Sequence, residues 1–225
     1  METNENFDPV IIEQSKSDAL LVIFGGIKQG VGLPIFEFRN VLKNIKCDKV
    51  FVRDQSQAWY HKGLDFQTSN LSMVKDLLQN IISANNYKQV IFLGNSMGGY
   101  AAILFGSLLG VSSVVSFSPQ SFIGRITRYY HKDKRWKEQI SNVYKNNRGQ
   151  KRYYDLKYVL NKTQKNLVTL HIYYSTNHRL DKIHAERLSS FNNVVLHPYD
   201  TNHHNLVKEL RDRNILIKIL EGLFK

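Results

Sequence analysis

The sequence predicts an α/β fold, with a mostly parallel sheet of about six strands and helices on both faces. Two observations support this prediction. Short apolar runs alternate with segments of helical periodicity along most of the 225 residues, which is the pattern of βαβ units. Several of these runs are apolar throughout, as expected for strands that are buried on both faces. The length suits one domain over residues 1–225.

The first part of the chain supplies two strands and two helices. Residues 19–24 form an apolar run that ends in Gly25-Gly26, which predicts a buried strand feeding a loop. We expect a helix over residues 33–45 with Pro34 near its first turn, a strand over 49–53, and an amphipathic helix over 70–84. The eighteen residues before the first strand leave little room for further strands.

The remainder of the chain continues the same alternation. The predicted elements are a strand at 88–93, a closely packed helix at 99–106, strands at 113–117 and 167–174, a short helix at 181–189, a strand at 193–198 and a terminal helix at 204–224. Residues 122–165 depart from this rhythm and are called the basic insertion below. Ligands bind at the carboxyl ends of the strands in such sheets, so we expect the insertion to cap that edge.

The string Gly94-Asn95-Ser96-Met97-Gly98 lies where the strand at 88–93 passes into a helix. The pattern G-x-S-x-G is common by chance, but this position is typical of a nucleophile elbow. Such a turn forces the serine into a strained backbone conformation, and the flanking glycines remove Cβ atoms that would collide there. The alternative is a tight turn whose serine only caps the helix.

A serine hydroxyl becomes nucleophilic when an imidazole accepts its proton and a carboxylate orients that imidazole. In this arrangement the acid and then the histidine follow the serine, each in a loop after a strand. Asp181 follows the strand at 167–174, although it could instead be the N-cap of the next helix. His204 follows the last strand and is favoured as the base over His203.

An acyl-transfer site also needs two backbone N–H groups directed at the developing oxyanion. The first candidate is the N–H of Met97, directly after the serine. The second comes from the loop after the first strand, at Gly26 or Ile27, where glycine allows close approach of the backbone.

A second cluster follows the strand at 49–53 and lies at the same predicted edge. Its members Arg53, Trp59, Tyr60 and His61 could line a pocket for a polar, ring-bearing substrate. The alternative is a surface loop held by a packed tryptophan. Asn95, within the elbow, is a further candidate for substrate binding, and Ser118-Pro119-Gln120 could form another wall.

The net charge of +12 is concentrated in the basic insertion. Residues 122–165 contain thirteen Lys or Arg against three acidic residues, a net charge of +10, together with seven Tyr or Trp. Basic and aromatic residues in one segment suit an anionic or sugar-like ligand, a nucleic acid or an anionic membrane surface. The alternative is a solvated helical segment whose lysines only keep the protein soluble.

Composition excludes several classes of protein. The single cysteine, Cys47, excludes an internal disulfide, and no zinc-ligand pattern is present, so we expect no metal and no cofactor. No apolar run is long enough to cross a bilayer. The first eighteen residues lack the basic start and apolar centre of a secretory signal, which predicts a cytoplasmic protein.

The strand followed by Gly25-Gly26, the elbow around Ser96, and Asp181 and His204 in that order resemble the α/β-hydrolase superfamily. The resemblance runs from about residue 19 to the C-terminus, apart from the basic insertion. It implies a Ser-Asp-His hydrolase, of an esterase or thioesterase type, or an acyltransferase, acting through an acyl-enzyme without a metal. The chain departs from the superfamily in its short N-terminal segment, which predicts a reduced sheet, and in its basic insertion, which is unlike an apolar lipase lid.

We therefore expect a serine hydrolase that cleaves a carboxylic ester or thioester of a polar, anionic or saccharide-like substrate. An acylated saccharide or a phosphopantetheine-bearing thioester would suit the basic insertion. Two alternatives stay open: an acyltransferase that uses the same three residues, and a non-catalytic module that binds anionic glycan or nucleic acid. Of these partners, nucleic acid is the less expected. The sequence leaves open the acyl group, the leaving group and the oligomeric state.

Overall fold

One seven-stranded sheet organises residues 8–27, 38–145 and 150–224, which are the residues that the computed structural model describes. Its strands are β1 (Val10–Glu13), β2 (Ala19–Phe24), β3 (Asp48–Val52), β4 (Gln89–Asn95), β5 (Ser113–Phe117), β6 (Thr169–Ser175) and β7 (Val194–Tyr199). They lie in the order β1-β3-β2-β4-β5-β6-β7, and every neighbouring pair is parallel except β1 with β3. The α/β prediction is therefore confirmed.

Helices cover both faces of this sheet. They are α1 (Leu71–Ser83), α2 (Met97–Leu109), α3 (Arg125–Tyr130), α4 (Lys137–Tyr144), α5 (Leu156–Lys162), α6 (Arg179–Glu186), α7 (Leu206–Asp212) and α8 (Ile215–Glu221). Buried residues of α1, α2, α4, α5 and α6 belong to the core on one face, and those of α7 and α8 to the core on the other. Across the described ranges, the structure contains no helix with the length and hydropathy needed to cross a bilayer.

The strands are apolar because both of their faces are covered. In β2, Leu20, Val22 and Phe24 point into the core that contains α2, while Leu21 and Ile23 point into the core that contains α7 and α8. This alternation follows from the two-residue period of a strand. It explains why the central strands read as continuous apolar runs in the sequence.

The chain passes from β2 to β3 on one side of the sheet and then crosses to β4 on the other side. The carboxyl ends of β2 and β4 therefore flank a point where the strand order reverses. Ligands bind in the crevice at such switch points in open α/β sheets. Gly25-Gly26 and Ser96 follow these two strands directly, so the fold brings the two motifs to one place.

The structure differs from the predicted elements at three places. A short antiparallel edge strand, β1, lies in the N-terminal segment, where Ile12 pairs with Val50. Of the predicted helix at 33–45, residues 33–37 lie outside the described ranges, and residues 38–44 form turns that bury Phe38 and Leu42. The predicted terminal helix is divided into α7 and α8 because Asn214 adopts a left-handed conformation, with φ of 57°.

The basic insertion connects β5 to β6 and contains α3, α4, a 3₁₀ turn at Lys151–Tyr154 and α5. Helix α5 packs on α2, which begins directly after Ser96. The Arg187 guanidinium, just after α6, donates two hydrogen bonds to the Asp155 carboxylate, at 2.7 and 2.9 Å. The insertion is thus attached to the elements that follow β4 and β6, and its role as a cap stays a prediction.

Cys47, which lies directly before β3, is fully buried among apolar side chains. Burial raises the pKa of its thiol to about 11, because the charged thiolate is poorly solvated there. The thiolate is the reactive form of cysteine. Cys47 is therefore an inert core residue at neutral pH.

Candidate active site

The turn between β4 and α2 holds Ser96 in an unusual backbone conformation, with φ of 53° and ψ of −115°. Two backbone hydrogen bonds fix it: the Ser96 N–H donates to the Phe117 carbonyl at 2.8 Å, and the Tyr100 N–H donates to the Ser96 carbonyl at 3.0 Å. The Ser96 side chain makes no capping hydrogen bond to α2. Its hydroxyl is therefore available for other partners.

The glycines of the elbow are required by close backbone packing. A Cβ on Gly94 would lie 2.2 Å from the Gly98 carbonyl oxygen, and a Cβ on Gly98 would lie 2.1 Å from the Phe24 carbonyl oxygen. Real Cβ atoms essentially never come so close to a backbone atom. The start of α2 thus lies directly against the end of β2, which sets the distance between Ser96 and the Gly25-Gly26 loop.

Ser96, His204 and Asp181 come together at the carboxyl ends of the strands, although they are far apart in sequence. The Ser96 Oγ lies 3.1 Å from His204 Nε2. The other ring nitrogen, Nδ1, lies 2.8 and 2.9 Å from the two carboxylate oxygens of Asp181. A proton on Nδ1 satisfies the carboxylate and leaves Nε2 free to accept a hydrogen bond from the serine hydroxyl.

The loops after β6 and β7 supply the acid and the histidine. Asp181 lies in the first turn of α6, whose N-cap is His178, so Asp181 is not the N-cap that the sequence allowed. His204 lies just before α7, whose N-cap is Asn205. His203 is exposed, and its carbonyl accepts a hydrogen bond from the Ser175 hydroxyl. The structure therefore brings His204, not the exposed His203, into hydrogen-bond distance of Ser96.

The carboxylate of Asp181 is almost completely buried and has more partners than His204 alone. His178 Nδ1 lies 3.1 Å from its Oδ1, and an Arg135 guanidinium nitrogen lies 3.1 Å from the same oxygen. Burial by itself would raise the pKa of Asp181, but its close contacts with His178 and His204 hold it well below its usual range. Asp181 is thus ionised throughout the neutral range.

Arg135, in the basic insertion, joins Asp181 to a second buried carboxylate. Its Nε and one terminal nitrogen donate to the two oxygens of Asp133 at 3.0 and 2.9 Å. Asp133 also lies 3.1 Å from Nε2 of the buried His184, whose Nδ1 accepts the Ser121 N–H at 3.0 Å. Burial lowers the pKa of His184 to about 4, so this ring is neutral and carries its proton on Nε2.

Gln120 contacts the Ser96 hydroxyl directly. Its side-chain amide donates to Ser96 Oγ at 2.9 Å, and the residue is fully buried. The sequence pointed to Ser118-Pro119-Gln120 only as a pocket wall. Its position in the sequence could have indicated a direct contact with Ser96, because Gln120 follows β5 at the same sheet edge as the elbow.

The candidate oxyanion donors also lie around the elbow. Met97 is the first residue of α2, and the first N–H groups of a helix have no partner within it. Gly26 lies against the elbow, since an added Cβ would be 3.2 Å from the Asn95 carbonyl oxygen. Ile27 is the next residue, at the end of the described range. Their role as donors stays a prediction.

The expected substrate-binding cluster is mostly buried, which corrects the expectation of a pocket wall. Trp59 and Tyr60 are fully buried, and the Tyr60 hydroxyl donates to the Gly25 carbonyl at 2.9 Å. His61 is buried with its Nε2 2.8 Å from the Tyr100 hydroxyl. The loop that carries these rings folds into the core, so the rings pack inside the protein beside the sheet edge.

The other two members of the expected cluster lie closer to the edge. Arg53 is half-buried beside Gly25, and Asn95 is buried within the elbow itself. Both positions are next to the Ser96 turn. A contact of Arg53 or Asn95 with substrate stays a prediction.

Ligand atoms of His178, Asp181 and His204 lie within 4.8 Å of one another, and imidazole and carboxylate groups are metal ligands. Both carboxylate oxygens of Asp181 lie within hydrogen-bond distance of His204, and the cationic Arg135 guanidinium contacts Oδ1. A positive charge at that oxygen opposes cation binding. The arrangement fits a hydrogen-bonded acid and base better than a metal centre.

Known proteins match this chain through their structures. No described protein family and no curated protein matches the sequence. The capsule O-acetyltransferase of Neisseria meningitidis serogroup A is similar over 93% of this chain and 90% of its own, with 14% identity and a TM-score of 0.69. MPT51 of Mycobacterium tuberculosis is similar over 96% and 93%, with 12% identity and a TM-score of 0.66.

A third similar structure is FphF, a fluorophosphonate-binding serine hydrolase of Staphylococcus aureus. It is 15% identical, over 96% of this chain and 89% of its own, with a TM-score of 0.56. At such low sequence identities, the similarity shows only that the folds are alike. Together with the strand order and the turn after β4, it shows that this chain has the α/β-hydrolase fold.

Proposed function

We propose that this chain is a serine hydrolase that cleaves a carboxylic ester or thioester, with Ser96 as nucleophile, His204 as general base and Asp181 as the acid that orients it. One observation carries the proposal. The Ser96 hydroxyl lies 3.1 Å from His204 Nε2, while the opposite ring nitrogen is held by a buried, ionised carboxylate at 2.8 Å. This hydrogen-bonded order is what general-base activation of a serine requires.

The proposed reaction has two halves. Ser96 Oγ bonds to the acyl carbon while its proton moves to His204 Nε2, and backbone N–H groups at Met97 and Gly26 or Ile27 stabilise the oxyanion. The tetrahedral intermediate then expels the alcohol or thiol, which takes the proton from His204. Water, deprotonated by the same imidazole, releases the carboxylic acid and restores the serine.

The charge of the chain supports a polar substrate with anionic or saccharide-like groups. The net +10 of the basic insertion attracts anions, and its exposed Tyr129 and Tyr130 offer faces on which sugar rings can stack. The insertion is tied to α6, which carries Asp181. A substrate bound along it would therefore reach the sheet edge where Ser96 lies.

The first experiment compares wild type with Ser96→Ala. We expect hydrolysis of short p-nitrophenyl esters to fall by about 10⁴-fold or more, and labelling by a fluorophosphonate probe to be lost, because no other group replaces the nucleophile. Circular dichroism checks that the variant is folded. Retained labelling of Ser96→Ala would remove Ser96 from the proposed role.

The adjacent histidines offer a matched pair of variants. We expect His204→Gln to lose about 10³-fold or more in kcat, because Ser96 then has no base, while His203→Gln keeps wild-type kcat. Both substitutions remove one imidazole from the same loop, so a general disturbance of the loop would affect them alike. Equal losses in the two variants would contradict the assignment of His204.

Acyl transfer by the same residues is the second candidate, favoured by the likeness to the capsule O-acetyltransferase. In that reaction an acceptor hydroxyl replaces water in the second half. Product analysis with a short acyl ester and a saccharide acceptor separates the two candidates. Acylated saccharide as the main product supports transfer, and free acid at all acceptor concentrations supports hydrolysis.

A further inference from the structure

Arg135 is the one charged side chain of the described basic insertion that hydrogen-bonds to Asp181. It lies between α3 and α4, 46 residues before Asp181 in the chain. Its guanidinium uses one edge for both oxygens of Asp133 and a further nitrogen for Asp181 Oδ1. A planar group with five donors is suited to bridge two carboxylates in this way.

Further contacts hold the Arg135 bridge between Asp133 and Asp181 in place. Asp133 is held by Arg135 and by His184, and His184 is fixed by the N–H of Ser121, which lies directly before the insertion. Arg128 contributes a further positive charge, 3.7 Å from Asp133, and donates to the Arg135 carbonyl. Arg135 is therefore pre-positioned by protein contacts, and Asp181 receives a guanidinium whose place is already fixed.

We propose that Arg135 is a positioning residue for Asp181, which it holds in place beside the His204 imidazole. This inference rests on the proposed function of Ser96, His204 and Asp181. The guanidinium holds Asp181 Oδ1 against rotation away from the imidazole.

Asp181 is contacted from three parts of the chain: by His204 in the loop before α7, by His178 at the N-terminus of α6, and by Arg135 in the basic insertion. Without Arg135, Asp133 keeps its contacts with Arg128 and His184. Asp181 loses the guanidinium at Oδ1, so its carboxylate can turn away from His204 Nδ1 and the imidazole is less firmly oriented toward Ser96.

The expected size of the effect follows from the geometry that the base needs. A small misplacement of a catalytic group can cost up to about 10²-fold in rate. Asp181 keeps its contacts with His178 and His204 when Arg135 is removed, so we expect a smaller loss, of about 10-fold.

The experiment measures kcat and KM for p-nitrophenyl acetate with wild type, Arg135→Met and Arg135→Lys. We expect Arg135→Met to lower kcat by about 10-fold at unchanged KM, because the lost contact orients the base and does not bind substrate. Arg135→Lys should recover part of the kcat, since one ammonium group can reach Asp181 but cannot bridge both carboxylates.

Arg187→Met is the matched control. Arg187 also bridges the basic insertion and the α6 region through a two-point ion pair, and its side chain is 16% exposed against 18% for Arg135. Its main partner is Asp155, and it also donates to the Ser121 carbonyl at 3.4 Å, so its hydrogen bonds go to residues other than Ser96, Asp181 and His204. We expect this variant to lose stability while its kcat and KM stay near those of wild type.

The outcomes separate the two proposals. An unchanged kcat in a folded Arg135→Met variant, with Ser96→Ala inactive, overturns the role of Arg135 alone. Activity retained by Ser96→Ala overturns the proposed function itself. An equal fall of kcat in Arg187→Met shows a general structural effect and also overturns the inference. If Arg135→Met does not fold, Arg135→Gln, which is neutral but keeps hydrogen-bond donors, carries the same expectation.

Discussion

Ser96 is one of several residues that hold positive φ angles near the same sheet edge. Ser118, after β5, has φ of 41°, and Trp59 and Tyr60, after β3, have φ of 51° and 62°. Each such non-glycine conformation costs on the order of 1–3 kcal/mol and persists only where surrounding contacts enforce it. For Ser96 those contacts are the hydrogen bonds to the ends of β5 and α2. Strain at this edge supports the assignment of the site.

Gly98 gives a direct test of the elbow geometry. We expect Gly98→Ala to lower the free energy of unfolding by about 2 kcal/mol or more, because its Cβ would lie 2.1 Å from the Phe24 carbonyl oxygen. Esterase activity should fall with it, since relief of this contact moves Ser96 away from Gly26. Urea unfolding and kcat measure the two effects.

Gly222 is the control for Gly98. No atom lies within 4 Å of a Cβ added there, and its φ of −68° suits alanine. We expect Gly222→Ala to be neutral or to stabilise the fold by about 0.5 kcal/mol, through loss of unfolded-state entropy. A Gly98→Ala variant as stable as Gly222→Ala would contradict the close packing of α2 on β2.

At the residue level, Ser96, Asp181 and His204 could be identified from the sequence, because each of them follows a predicted strand and their order along the chain is the expected one. The sequence favoured His204 as the base but kept His203 as the alternative, since adjacent residues lie in the same loop. It also gave no sign of Arg135, whose partner is 46 residues away. The aromatic residues Trp59 and Tyr60 were expected at a pocket wall, because the composition of a loop does not reveal whether the loop folds inward.

The loop after β3 is an element organised by one carboxylate. Asp54 is buried and accepts three backbone hydrogen bonds, from Ser56 at 2.9 Å, Ala58 at 2.6 Å and Tyr60 at 2.8 Å. These bonds enforce the positive φ angles of the loop. The Tyr60 hydroxyl in turn binds the Gly25 and Val52 carbonyls, at the ends of β2 and β3. Asp54 therefore supports the Gly25-Gly26 turn through Tyr60.

We expect Asp54→Ala to lower the free energy of unfolding by about 3 kcal/mol or more, because it leaves buried N–H groups without an acceptor. The matched control is Asp65→Ala, which also removes a loop carboxylate that accepts hydrogen bonds, from Gln67 and Thr68, but near the surface. We expect that variant to lose only about 1 kcal/mol. Chemical denaturation compares them, and equal losses would contradict the organising role of Asp54.

Among the elements, the central strands were predicted within one or two residues because burial on both faces makes them apolar throughout. The edge strand β1 was missed, since only its pairing with β3, about 38 residues away, defines it. The division between α7 and α8 was also missed. Asparagine tolerates the left-handed conformation, so no glycine or proline marked the break at Asn214.

For the whole molecule, two buried histidines couple stability to pH. Burial lowers the pKa of His61 to about 3 and that of His184 to about 4, against about 6.5 in an unfolded chain. Both rings are neutral in the folded protein. As the pH falls below about 6.5, the unfolded chain binds protons that the folded chain does not. The free energy of unfolding therefore falls with pH through this window.

His61→Gln tests this linkage. Glutamine does not titrate and keeps a hydrogen-bonding group near the Tyr100 hydroxyl. Between pH 8 and pH 5, we expect wild type to lose about 2 kcal/mol more of its free energy of unfolding than the variant does. Urea titrations at the two pH values measure the difference. Identical losses in the two proteins would show that His61 is already protonated in the folded state or is open to solvent.

The inert thiol of Cys47 gives the chain a practical property. Because it is the single cysteine and is buried, maleimide dyes have no native target on the folded surface. A cysteine introduced at Tyr129, on exposed α3, would accept one dye per molecule. Fluorescence from that dye could then follow the basic insertion during turnover, without removing any native residue from the core.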